Sequence, residues 1–114
     1  MTAYSSTAMV PTANASRYLQ QLCKHWSHNL EVVFTPGEGK IVFPRMAFGK
    51  SYPEDASVTL RAGDTALESV VIASTEEQLE GVKKAVASHL DRFAFREAPL
   101  SFDWRWSSIS GEYR

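Results

Sequence analysis

The stretch "SVTLRAGDTALESVVIASTEEQLEGVKKAV", Ser57 to Val86, carries both of the periods from which a mixed fold is built. Val58, Leu60 and Ala62 alternate with Ser57, Thr59 and Arg61, the spacing of a half-buried strand. "AGDT" (Ala62–Thr65) turns the chain, with Gly63 and Asp64 at the tip, and Ala66–Ser74 returns as a second strand. The period then changes. Ser74, followed three residues later by Glu77, reads as a capping box. Glu76, Glu77 and Glu80 put negative charge at the positive end of the helix dipole. Leu79, Val82, Val86, Leu90 and Phe93 continue as one apolar stripe at helical spacing. Gly81 weakens that helix by about 1 kcal/mol relative to alanine. Close approach of the backbone to a neighbour would be a physical reason for it.

Toward the N-terminus, Pro11 and Thr12 open another helix, with Thr12 or Asn14 as its cap. Ala15, Leu19, Leu22 and Trp26 form its stripe, with Tyr18 beside them, and the helix is expected to end near Asn29. Leu30, Val32 and Phe34 alternate as a strand. "TPGEGK" (Thr35–Lys40) is a turn, and "KIVFP" (Lys40–Pro44) pairs back as a hairpin. After the second helix, "LSFDWRW" alternates strictly, with Leu100, Phe102, Trp104 and Trp106 on one side. The predicted order is helix, four strands, helix, strand. Short turns make the sheet mostly antiparallel, of four to five strands, and two amphipathic helices cover it. The expected fold is therefore an α+β two-layer sandwich. Residues 1–10 read as a flexible tail, or at most a loose edge strand through Ala8–Val10. Residues 11–107 read as one domain and 108–114 as a second tail.

The composition bounds function from outside. The chain has 114 residues, a net charge of −1 and 44% hydrophobic residues. That is a globular balance with no global pull toward nucleic acid or anionic membrane. Cys23 is the only cysteine, so no intrachain disulfide forms and a reducing cytosol suits the chain. The N-terminal stretch has no secretory pattern and no segment is long and apolar enough to span a membrane, so a cytoplasmic location is expected. No nucleophile elbow, Gly-rich phosphate loop or His-Glu-x-x-His motif is present, which points away from an enzyme. No cofactor is expected.

The chemistry gathers around "QLCKHWSH", Gln21 to His28. At roughly 100° per residue, His25 lies about 80° from the stripe centre, His28 lies further round on that side, and Cys23 lies about 80° the other way. A Cys-x-His-x-x-His metal site is thus excluded while the segment is helical. In the second helix His89 lies roughly 80° from its stripe, on the same angular side, with Arg92 and Arg96 following on that flank. If the two flanks meet, three imidazoles and two guanidiniums gather without a carboxylate. Helices side by side on the sheet could bring these flanks together, although an antiparallel pair would more naturally present opposite sides; the sequence does not choose between the layouts. The alternative is an ordinary flank histidine bonded to a backbone carbonyl, with arginines paired to Asp91, Glu97 or Asp103. Gathered together, His25, His28, His89, Arg92 and Arg96 favour a small anionic ligand or a metal chelate over a bare cation. The same three histidines are weak candidates for metal ligands. The aromatic last strand supports a different reading, a homodimer or partner-binding module with no small ligand.

"RYLQQLCKHWSH" (Arg17–His28), "GKIVFP" (Gly39–Pro44) and "SHLDRFAFREAPLSFDW" (Ser88–Trp104) together resemble a family of small bacterial proteins known only as a domain of unknown function. The matching positions are Arg17, Tyr18, Cys23, His25, His28, His89, Arg92, Phe93, Phe95, Arg96 and Trp104. Arg45–Ala56 fits least well and reads as a local insertion. Some members are encoded beside siderophore and iron-uptake genes. The resemblance therefore implies an iron-related accessory role, by neighbourhood alone.

Overall fold

In the computed structural model, residues 2–47, 49–97 and 99–110 are described, the side chains of residue 2 and of residues 106–110 excepted. The elements run β1 (Thr2–Pro11), α1 (Ala15–Trp26), β2 (Glu31–Phe34), β3 (Glu38–Phe43), β4 (Ala56–Ala62), β5 (Ala66–Ala73), α2 (Glu76–Phe93) and β6 (Arg105–Ser110). They form a six-stranded sheet of order β2-β3-β4-β5-β1-β6 in which every neighbouring pair is antiparallel. Both helices lie on one face, α1 over β2, β3 and β4, and α2 over β5 and β1. The expected α+β sandwich is what the chain adopts.

The alternation along the strands decides which face is covered. Ile41, Val58 and Val71 are mutually registered and fully buried, as are Leu60 beside Gly39 and Leu67 beside Val10. Against them pack Leu19, Leu22, Leu79, Val82, Val86 and Leu90 in one core cluster. Burying a side chain of this size stabilises by about 1.5–3 kcal/mol. The opposite face carries the row Val33, Lys40, Thr59, Val70 and Thr7. Val33 and Met9 on that face are 71% and 53% exposed.

Several boundaries differ from the sequence reading. Residues 2–11 are not a tail. They form β1, which sits between β5 and β6 and has partners on both edges. Its small inward side chains, Ser6 and Ala8, are fully buried. Composition hid the strand, because an inner strand under a helix can be small and polar where its backbone is fully paired. The last strand begins at Arg105, so Leu100, Phe102 and Trp104 precede it. Phe102 and Trp104 stack at 6.0 Å between centroids and are packed against the core. The Trp106 side chain and residues 111–114 lie outside the described residues.

The helix ends also move. α2 is capped by Thr75, whose hydroxyl accepts the Gln78 N–H at 3.0 Å, one residue later than Ser74. The Gln78 side chain reaches back to the Ser74 N–H at 2.7 Å, while Glu77 pairs with Lys50. α1 starts after Asn14 and ends at Trp26 rather than near Asn29, which places His28 in the turn beyond it.

Candidate functional site

α1 and α2 run antiparallel across the sheet. Trp26 at the end of α1 meets the His89 ring at 4.9 Å, while Tyr18 in its first half reaches Glu97 beyond the end of α2. A two-fold axis normal to the sheet relates such a pair, and that operation brings equal angular flanks face to face. The expectation of opposite flanks was therefore wrong, and the histidine flanks do meet. The His25 and His89 rings lie 5.0 Å apart, and Phe93 meets His25 edge-on at 5.7 Å. Trp26, packed against Phe43 at 5.0 Å, closes the floor beneath them.

His89 donates from Nδ1 to the Ala85 carbonyl at 2.7 Å, one turn back on its own helix. This is the ordinary flank arrangement, and it leaves Nε2 without a hydrogen-bond partner among the described residues. His25 is exposed and makes ring contacts alone among the described residues. Its pKa is held below the ordinary imidazole value, first by partial desolvation and then by the positive charge of His89, Arg92 and His28. Arg92 lies one turn beyond His89 on α2, and His28 lies in the turn directly after α1.

The acids expected to neutralise the arginines are engaged elsewhere. Asp91 accepts the Leu100 N–H at 2.8 Å, and Asp103 pairs with Arg105 at 3.0 Å. Glu97 accepts from the Thr12 hydroxyl at 2.9 Å, from Asn14 Nδ2 at 2.9 Å and from the Tyr18 hydroxyl. These three donors hold the Glu97 carboxyl below its usual range, and the bond to Glu97, with burial, holds the Tyr18 phenol above its own. Among the described residues, Arg17, Arg92 and Arg96 make no ion pair.

Arg96 does not join the histidines. It stacks over Phe95 at 5.6 Å and, with Arg17, Tyr18, Phe93, Ala94 and Phe95, lines a cavity of about 210 Å³ at the other end of the seam. The five candidate residues are thus divided. His25, His89 and Arg92, with His28 at the edge, form one basic group, and Arg96 forms another with Arg17. Among the described residues, no three His, Cys, Asp or Glu side chains are placed to hold a metal ion, so His28 does not complete a triad with His25 and His89. Cys23 is fully buried on the far flank, where burial pushes its thiol up to about 11. That makes it a small core residue.

Sequence reasoning named Arg17 only as a position matching the family and did not single out Gln21. The signal was present: Arg17, Gln21 and His25 recur every four residues along one flank of α1. The Gln21 Oε1 is buried and has no hydrogen-bond partner among the described residues.

Two antiparallel helices on one face of an antiparallel sheet, with a basic seam between them, define an α+β two-layer sandwich. The chain belongs to a family described as uncharacterized proteins conserved in bacteria (DUF2218), whose model matches residues 7–105. That span contains α1, α2 and every residue of the seam. The NMR structure of PA4090 from Pseudomonas aeruginosa is similar, with a TM-score of 0.62 and 28% identity, covering 94% of this chain and 96% of that one. No curated protein matches the chain. Among the described residues, no helix is long and apolar enough to cross a membrane.

Proposed function

We propose that the protein is a non-catalytic cytosolic module that binds a small anionic ligand in the seam between α1 and α2. One observation carries this reading: three arginines and two contacting imidazoles lie along the seam, and among the described residues none of those arginines makes an ion pair. Clustered positive charge with no internal partner is relieved by a bound carboxylate or phosphate, which Arg engages bidentately. The small dimensions of the seam and the net charge of −1 favour a small molecule over nucleic acid. A negatively charged iron chelate falls within this class, which keeps the iron-related role of the family resemblance inside the proposal.

Calorimetric titration with citrate and with ferric citrate tests it. Citrate is expected to bind, and Arg92→Gln/Arg96→Gln to abolish the heat. Tighter binding of ferric citrate would single out a chelate, and equal binding a simple anion. Absence of binding by either, in a protein with a folded NMR spectrum, overturns the reading.

A second reading, self-association through the uncovered sheet face, is favoured by the exposure of Val33 and Met9 there. Sedimentation equilibrium separates the two. A dimer lost on Val33→Glu supports association, and a monomer at all concentrations removes it.

A further inference from the structure

We propose that the seam holds two anion subsites, and that its ligand is an elongated dianion with a carboxylate or phosphate at each end. This deepens the anion-binding reading and rests on it. One subsite is the cavity of about 210 Å³ between Arg17 and Arg96. The other is the contacting pair His25 and His89, with Arg92 one turn beyond His89 on α2. Arg17 and His25 stand eight residues apart on the uninterrupted helix α1, which at 1.5 Å per residue separates the subsites by about 12 Å.

Phe93 joins them. It lines the arginine cavity, and its ring also meets His25 at 5.7 Å. The middle of the ligand therefore lies against an aromatic surface and is apolar. Arg96 lies over the Phe95 ring at 5.6 Å and lines the cavity, where its guanidinium can engage an anion bidentately. A single compact anion such as phosphate fills one subsite and leaves the other empty.

The probe is a homologous series of straight-chain dicarboxylates, from succinate to dodecanedioate, with the monocarboxylates of equal length as controls. Binding is read by calorimetry and by NMR shifts of the seam residues. Affinity is expected to peak at the chain whose carboxylates lie about 12 Å apart. There it should exceed that of the matched monocarboxylate about tenfold. Arg17→Gln and His25→Gln, both at exposed positions, are each expected to reduce the best dicarboxylate to the monocarboxylate level. Affinity independent of chain length, or sensitive to one of the two substitutions only, overturns the two-headed ligand and leaves the anion site standing. Failure of every acid to bind a folded protein overturns both.

Discussion

On one flank of α1, Cys23 is pressed against β3; on the other, His25 stands beside α2 and, among the described residues, pairs with no carboxylate. The two residues are neighbours in sequence and look like halves of one motif. The helix separates them by nearly half a turn and gives them opposite environments. The Cys23 flank is sealed, because a Cβ added at Gly39 would lie 2.7 Å from its sulfur and 3.3 Å from Phe34 Cβ. The His25 flank is open, basic and has hydrogen-bonding capacity left over. The contrast shows that residue types alone do not make a site; the face on which each one falls decides.

The sealed flank should give the largest effects. Leu22, fully buried at the centre of the stripe, is expected to cost about 2–5 kcal/mol when cut to alanine, measured by urea denaturation. Gly39→Ala is expected to cost about 1–3 kcal/mol by overpacking. The diagnostic result is rescue. Adding Cys23→Ala removes the atom the new methyl strikes and should restore part of the loss. If the double variant is simply the sum of the two singles, Cys23 and Gly39 are not in contact and the sealed-flank account is wrong.

The end of the seam nearest Tyr18 is intermediate. There one carboxylate gathers donors from the approach to α1 and from α1 itself, and so ties the segment after α2 to the start of the other helix. Tyr18→Phe removes one of those donors at a buried phenol. About 1 kcal/mol of stability is expected to go with it, again by denaturation. Citrate should still raise the melting temperature of that variant, whereas Arg96→Gln should lose the response, if the latch is structural and the arginines are the binding groups.

Much of this was legible in the sequence, and the failures have particular causes. The hairpins and both helices follow from period and turn chemistry, because alternating and helical stripes each demand one buried face. β1 escaped because Ser5, Ser6, Thr7 and Ala8 carry almost no hydrophobic signal, and its place in the sheet comes from backbone pairing with β5 and β6. The last strand was placed early because Leu100, Phe102 and Trp104 alternate, although they pack as a loop beneath α2. The angular positions of His25, His89 and Arg92 were readable. Their meeting was not, since it depends on how antiparallel helices turn toward each other. Arg17 and Gln21 needed that arrangement before their spacing meant anything.

The smallest effect is also the most direct probe of the open flank. The groups facing His25 are His28 from the turn after α1, and His89 and Arg92 from α2. Partial desolvation first, and then these charges, disfavour its protonation, so its midpoint, followed by NMR of the ring, should lie below the ordinary value near ~6.5. The sign of the linkage follows. Between that midpoint and the ordinary one, the unfolded chain binds more protons than the folded chain. The contribution to stability is complete above the ordinary imidazole value and is lost as pH falls through the lowered one. Because His25 is exposed, solvent screening keeps that loss small. Arg92→Gln should move the midpoint back up, and sulfate should move it up further in the unmodified protein, since a bound anion favours the imidazolium. A midpoint indifferent to both would mean that the charges around His25 act singly, and the contrast between the two flanks would reduce to one of burial.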